Sequence, residues 1–123
     1  MDMSKTVAVV GASDKPHRYA NRALRMLLAQ GYAPIPVSRS GKDILGLKGY
    51  SSVGAIPEPV DTVTLYLAAD KQGPVVQDIL AAKPRRVIFN PGAENPDAAS
   101  VLGGHGIQTV EACTLVLLST GQF

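Results

Sequence analysis

Apolar positions follow two alternating spacings along this chain. Thr6 to Val10 is short, β-branched and apolar without a break, as expected of a parallel strand buried on both faces. Gly11 ends it. Ala20, Ala23, Leu24, Leu27 and Leu28 then recur at i, i+3, i+4, i+7 and i+8, which predicts an amphipathic helix. Asn21, Arg22, Arg25 and Gln30 fall on its other faces. Gly31 stops the helix where a left-handed residue costs little. Tyr32 to Val37 is the second predicted strand. Pro34 and Pro36 lack amide protons, so they need an edge, a strand end or a bulge.

The alternation continues to the end of the chain. Ser38 to Pro59 is a long connection rich in Gly, Ser and Pro, with Ile44 and Leu45 as a short turn or strand inside it. Asp61 to Ala68 is the third strand. Asp70 is the expected cap of a helix reaching about Lys83, with Val75, Val76, Ile79 and Leu80 inward and Pro84 as its stop. Arg86 to Phe89 is the fourth strand, closed by the turn Asn90-Pro91-Gly92. Asn95 and Pro96 read as an N-cap and a first helical residue. That short helix carries Ala98, Val101 and Leu102 and ends at Gly103 and Gly104. Ile107 to Val110 is the fifth strand, and Thr114 to Ser119 a last short helix on the sheet. Strands alternating with helices imply βαβ units with right-handed crossovers. The expected class is therefore α/β, a doubly wound parallel sheet of about five strands with flanking helices. Ligands of such sheets bind outside the carboxyl ends of the strands.

Composition narrows the function classes. A chain of 123 residues with 46% apolar content is one domain with one core. No apolar run approaches the roughly 20 residues that cross a bilayer. The start, Met1 to Lys5, has no apolar signal core. A net charge of +2, with twelve scattered basic residues, does not indicate a nucleic-acid partner. One cysteine, Cys113, excludes an internal disulfide, and the cytoplasm is the expected compartment.

The strand ends carry the chemistry. Gly11, Ala12 and Ser13 link the first strand to a helix start, where backbone amides and the helix dipole suit a phosphate. Lys15 adds a charge. Ser13 and Lys15-Pro16 stand where further glycines of a dinucleotide fingerprint would fall, so Gly11 also reads as a plain tight turn. After the second strand, an NAD site would place an acid on the ribose 2′-hydroxyl. Here Val37 is followed by Ser38, Arg39, Ser40, Gly41 and Lys42, with no acid before Asp43. Those cations suit a phosphorylated ribose, as in NADP or coenzyme A, although a solvated basic loop has the same composition. Asn90 to Asn95 serves either as a turn with a cap or as a backbone surface for ligand. His17 and His105 read as loop residues. Cys113 has no base or cation beside it in sequence, as a catalytic thiolate would need.

At these residues the chain resembles the small stand-alone CoA-binding proteins, whose fold is that of the CoA-binding domain of the succinyl-CoA synthetase alpha subunit. The resemblance rests on Val9-Val-Gly-Ala-Ser13 and Gly31-Tyr-Ala-Pro-Ile-Pro-Val37. It continues through Ile44-Leu-Gly46, Tyr50, Ile56-Pro57, Val60-Asp-Thr-Val63, Asn90-Pro-Gly92, Gly106-Ile107 and Cys113. It implies a Rossmann-like single domain over residues 1–123 that binds coenzyme A or an acyl-CoA. The implied site has Gly11, Ala12, Ser13 and Lys15 at the phosphates. It has Val37, Ser38 and Arg39 at the adenosine, and Ala68, Pro91 and Gly92 along the pocket. Many members read Pro-Val-Asn-Pro where this chain has Pro36-Val-Ser-Arg39, and an aromatic and Gln where it has Phe89-Asn90. The ligase relatives also need a phosphohistidine domain, so ligase activity is not expected of these residues alone. The expectation is a non-catalytic module for a small nucleotide ligand, with no nucleic-acid, membrane or metal partner. Two alternatives stand beside it: a small NADP-binding oxidoreductase-like protein, and a ligand-free domain that forms a homodimer through Leu115 to Leu118.

Overall fold

The computed structural model describes residues 5–123. Met1 to Ser4, part of the segment read above for a signal core, lie outside the described residues. Five strands form one parallel sheet: β1 (Thr6–Val10), β2 (Ala33–Val37), β3 (Thr62–Leu65), β4 (Arg86–Phe89) and β5 (Gln108–Glu111). Their order is β2-β1-β3-β4-β5. In register, Val10 lies beside Val37 and Leu65, Leu65 beside Phe89, and Phe89 beside Glu111. The carboxyl ends therefore share one rim. The order reverses between β1 and β3, and that is the switch point where such sheets open a crevice.

The continuous apolar runs work as the alternation requires. Val7 and Val9 face α1 (Tyr19–Ala29) and α4 (Thr114–Ser119), packing with Ala20, Leu24, Leu27 and Leu118. Ala8, Val10, Val63, Leu65, Val87 and Phe89 face α2 (Gly73–Ala82) and α3 (Pro96–Gly104), packing with Val76, Ile79, Ala98 and Leu102. Leu24 and Leu27 are wholly buried, each contributing roughly 1.5–3 kcal/mol. Of the apolar tail, Leu118 enters the α1 core, its carbonyl accepting from Gln30 Nε2 at 3.1 Å, while Val116 is exposed. No helix among the described residues is long and apolar enough to cross a membrane.

Local expectations hold at some points and change at others. β2 is an edge strand, and Pro36 offers its carbonyl outward to Tyr50 N at 3.0 Å. The missing proline donors thus face the open edge. The third strand stops at Leu65 instead of Ala68. Asp70 does not cap α2. It sits in a separate turn, Ala69–Lys71, and Gln72 holds the capping position because Pro74 fixes the helix start just beyond it. The same helix ends at Ala82, because a residue before proline avoids the right-handed helical region, and Lys83 takes a left-handed conformation at φ 52. Leu28, expected on the inward stripe, is exposed, and Asn21, expected outward, is buried. Ile44 and Leu47 do form a tight turn, through Leu45 at φ 56 and Gly46 at φ 74.

Candidate functional site

A cleft of ≈ 410 Å³ opens at the carboxyl rim, over the switch point. Gly11, Ser13 and Lys15 line it from the loop after β1, Arg18, Tyr19 and Ala20 from the start of α1. Tyr66, directly after β3, and Pro91, Gly92 and Ala93, after β4, complete it.

Gly11 makes the loop fit. Its φ is 90, and a Cβ there would lie 3.2 Å from the Tyr66 backbone. Its amide, and that of Ala12, donate to the Val37 carbonyl at 2.9 and 3.1 Å. These two amides tie β1 to β2 and are already spent within the protein. Donors for an anion come from further along. Arg18, at the capping position of α1, supplies no side-chain acceptor, and the first turn contains no acid. The first amides of an uncapped helix lack intrahelical partners and carry the positive end of the dipole. Tyr19 and Ala20 bring that end to the cleft, which Lys15 and Arg18 also line.

The loop is strapped from behind. Asn21 is 1% exposed; its Nδ2 donates to the Ser13 carbonyl at 2.9 Å, and its Oδ1 accepts from Arg25 Nε at 2.9 Å. Arg25 also donates to the Pro16 carbonyl at 2.8 Å. Both carbonyls thus point toward the helix, away from any ligand. Ser13 Oγ accepts from Lys15 N at 3.1 Å, which tightens the turn.

The far wall is held by two other buried amides. Asn90 donates to Thr64 Oγ1 at 2.6 Å and to the Leu65 carbonyl at 2.9 Å, and accepts from Thr114 N at 2.8 Å. Gln72 donates to the carbonyls of Leu67 and Ala93 at 2.9 and 2.7 Å and accepts from Asn95. Asn95 caps α3 through Ala98 N, as expected. Tyr66 lies between these walls. Burial pushes its hydroxyl up to about 12, and the hydroxyls of Thr114 and Thr64 offset that only in part. Those two are bonded to each other, that of Thr64 also accepts from Asn90, and the Tyr66 hydroxyl has no partner of its own. It stays protonated across the neutral range.

Of the residues singled out from the sequence, the cleft brings together Gly11, Ser13, Lys15, Pro91 and Gly92. Ala12 and Val37 serve behind it, through the bond between them. Ser38, Arg39 and Lys42 lie on the neighbouring loop, and Ala68 is exposed at the turn before α2. Lys42 reaches the first loop from there: its Nζ is 3.0 Å from Asp14 Oδ2. The hydrogen bond and charge of Lys42 hold the Asp14 carboxyl below its usual range. Arg18, Tyr19, Tyr66 and Ala93 were not singled out beforehand. Arg18 and Tyr19 immediately precede the Ala20 stripe, and Tyr66 simply follows the apolar run of β3. Among the described residues no group of three or more His, Cys, Asp or Glu side chains converges on a metal position.

The arrangement brings an uncapped helix start and two cations to the crevice of a doubly wound sheet. Residues 5–119 match the family model described as a CoA binding domain. The chain belongs to the CoA-binding domain family. A crystal structure of an uncharacterised protein superimposes with a TM-score of 0.90 at 42% identity, covering 97% of this chain and 98% of that one. The uncharacterised YneT protein of Bacillus subtilis (strain 168) is 29% identical over 106 residues, 86% of this chain and 78% of its own length. The dinucleotide-forming acetyl-coenzyme A synthetase 1 of Ca. Korarchaeum cryptofilum shares the fold at 24% identity, with a TM-score of 0.76. There the match covers 88% of this chain but only 25% of the synthetase chain.

Proposed function

We propose that this CoA-binding-family chain is a non-catalytic module that binds coenzyme A or an acyl-CoA in the cleft over the switch point. One observation carries the reading: α1 opens into that cleft uncapped and without an acid, flanked by Lys15 and Arg18. The diphosphate is assigned to that helix start. The adenosine and its 3′-phosphate run toward Val37 and the loop of Ser38, Arg39 and Lys42. The pantetheine arm takes the wall of Tyr66, Pro91 and Gly92.

Calorimetry with CoA, dephospho-CoA, NADP and NAD tests this. CoA is expected to bind at micromolar concentration or tighter. Loss of the 3′-phosphate is expected to weaken it at least about tenfold, the low end for a charge-assisted contact. Absence of heat with CoA overturns the proposal. Equal affinity for CoA and dephospho-CoA removes Arg39 and Lys42 from the site. Tighter binding of NADP than of CoA selects the oxidoreductase-like alternative.

A further inference from the structure

We infer that Asp14 is a specificity-determining residue: in the free protein its carboxylate occupies Lys42, and the phosphate of a ligand must displace it. This rests on the CoA reading above and concerns what sets preference within that site. Asp14 lies between Ser13 and Lys15, which both line the cleft, while Lys42 belongs to the loop after β2. The pair at 3.0 Å therefore bridges the phosphate loop and the ribose-side loop.

The Lys42 backbone is fixed, so its side chain alone can switch partner. A Cβ on Gly49 would overlap the Lys42 carbonyl oxygen, which shows how closely the two segments are stacked. Gly49 N donates to Asp43 Oδ1 at 2.9 Å, and Lys42 N to Ser40 Oγ at 3.3 Å. Ile44, next along, is buried and paired with Leu47. The two charged side chains are in contrast about half exposed, 51% and 56%, so the ammonium can leave one anion for another. A carboxylate among phosphate-binding residues also repels an incoming phosphate. Lys42 cancels that charge only while it remains on Asp14. A ligand with a 3′-phosphate thus meets a competitor, and one without it leaves the ion pair intact.

The test is the affinity of wild type, Asp14→Asn, Lys42→Met and the double variant for CoA and for dephospho-CoA. Asp14→Asn is expected to bind CoA about 2- to 5-fold tighter, the range of an exposed ion pair released. Its affinity for dephospho-CoA is expected to stay nearly constant. In the Lys42→Met background the same change is expected to leave the CoA to dephospho-CoA ratio unaltered. Weaker CoA binding by Asp14→Asn, or an equal gain with both ligands, overturns the inference while the CoA reading stands. An unchanged effect of Asp14→Asn in the Lys42→Met background overturns it too. A wild-type protein that ignores CoA overturns both.

Discussion

The loops after β1 and β2 carry similar chemistry, small residues followed by cations, but the protein holds them in opposite ways. The first is pinned by side chains: Asn21 and Arg25 take the carbonyls of Ser13 and Pro16, and Gly11 rests on the Tyr66 backbone. The second is pinned by its backbone, stacked on Gly49 and bridged to Tyr50, while Arg39 and Lys42 extend into solvent. A loop prearranged by side-chain bonds presents the start of α1 at a fixed position. A solvated loop offers charge that can be redirected. Phosphate binding at the first is thus a matter of geometry, and at the second of competition.

Gly49→Ala gives the largest expected effect on this contrast. The new methyl group meets the Lys42 carbonyl, so one of two backbones must move. Urea unfolding is expected to show a loss of roughly 3 kcal/mol, the upper end for overpacking. A loss below about 1 kcal/mol would mean that the second loop is not held by its backbone.

Titration of Tyr66 reads the burial beneath the first loop, where Gly11 rests on its backbone. Burial holds its folded pKa at about 12, above the ordinary 10.0 of a phenol, so folding favours the neutral form. The associated stability is complete below pH 10 and disappears as pH rises through about 12. Between those values the wild type is expected to lose roughly 2–3 kcal/mol more than Tyr66→Phe. Parallel alkaline limbs for the two proteins would show that the hydroxyl is hydrated.

Asn21→Leu removes the strap and leaves the Ser13 carbonyl and Arg25 Nε without their partner. Stability is expected to fall by about 1–3 kcal/mol. CoA and dephospho-CoA are expected to weaken by the same factor, since the loop serves the phosphates that both ligands share. A loss confined to CoA would transfer the 3′-phosphate to the first loop and end the division of labour.

The sequence made the scaffold legible and left the fastenings hidden, for a physical reason. Strands β1 and β4 and the stripe of α1 are local patterns, set by spacing within ten residues. The buried amides Asn21, Gln72 and Asn90 are polar letters whose burial depends on carbonyls elsewhere: Ser13, Ala93 and Leu65. Asn90 reads as an ordinary turn residue until β3 and α4 are both beside it. Leu28 continues the apolar stripe of α1, yet the core that it would join stops at Leu27 and Leu24. Asp14 and Lys42 are 28 residues apart on different loops, and no periodicity relates them. The loop cations were legible as cations, but their positions beside the cleft, outside its lining, became visible only in three dimensions.

Lys42→Met gives the smallest expected effect on folding. Both partners of its ion pair are about half exposed, so the pair gains little over solvation and is screened by salt. The denaturation midpoint is expected to match that of the wild type at low and at high salt. The fixed backbone is expected to keep Gly49 and Tyr50 in place without the ammonium. Discrimination between CoA and dephospho-CoA is expected to shrink nonetheless, because the lost charge is the one a 3′-phosphate competes for. Were Lys42→Met instead to lower the midpoint as far as Asn21→Leu does, the ammonium would be part of the loop's anchorage. The second loop would then be held as the first is, by its side chains.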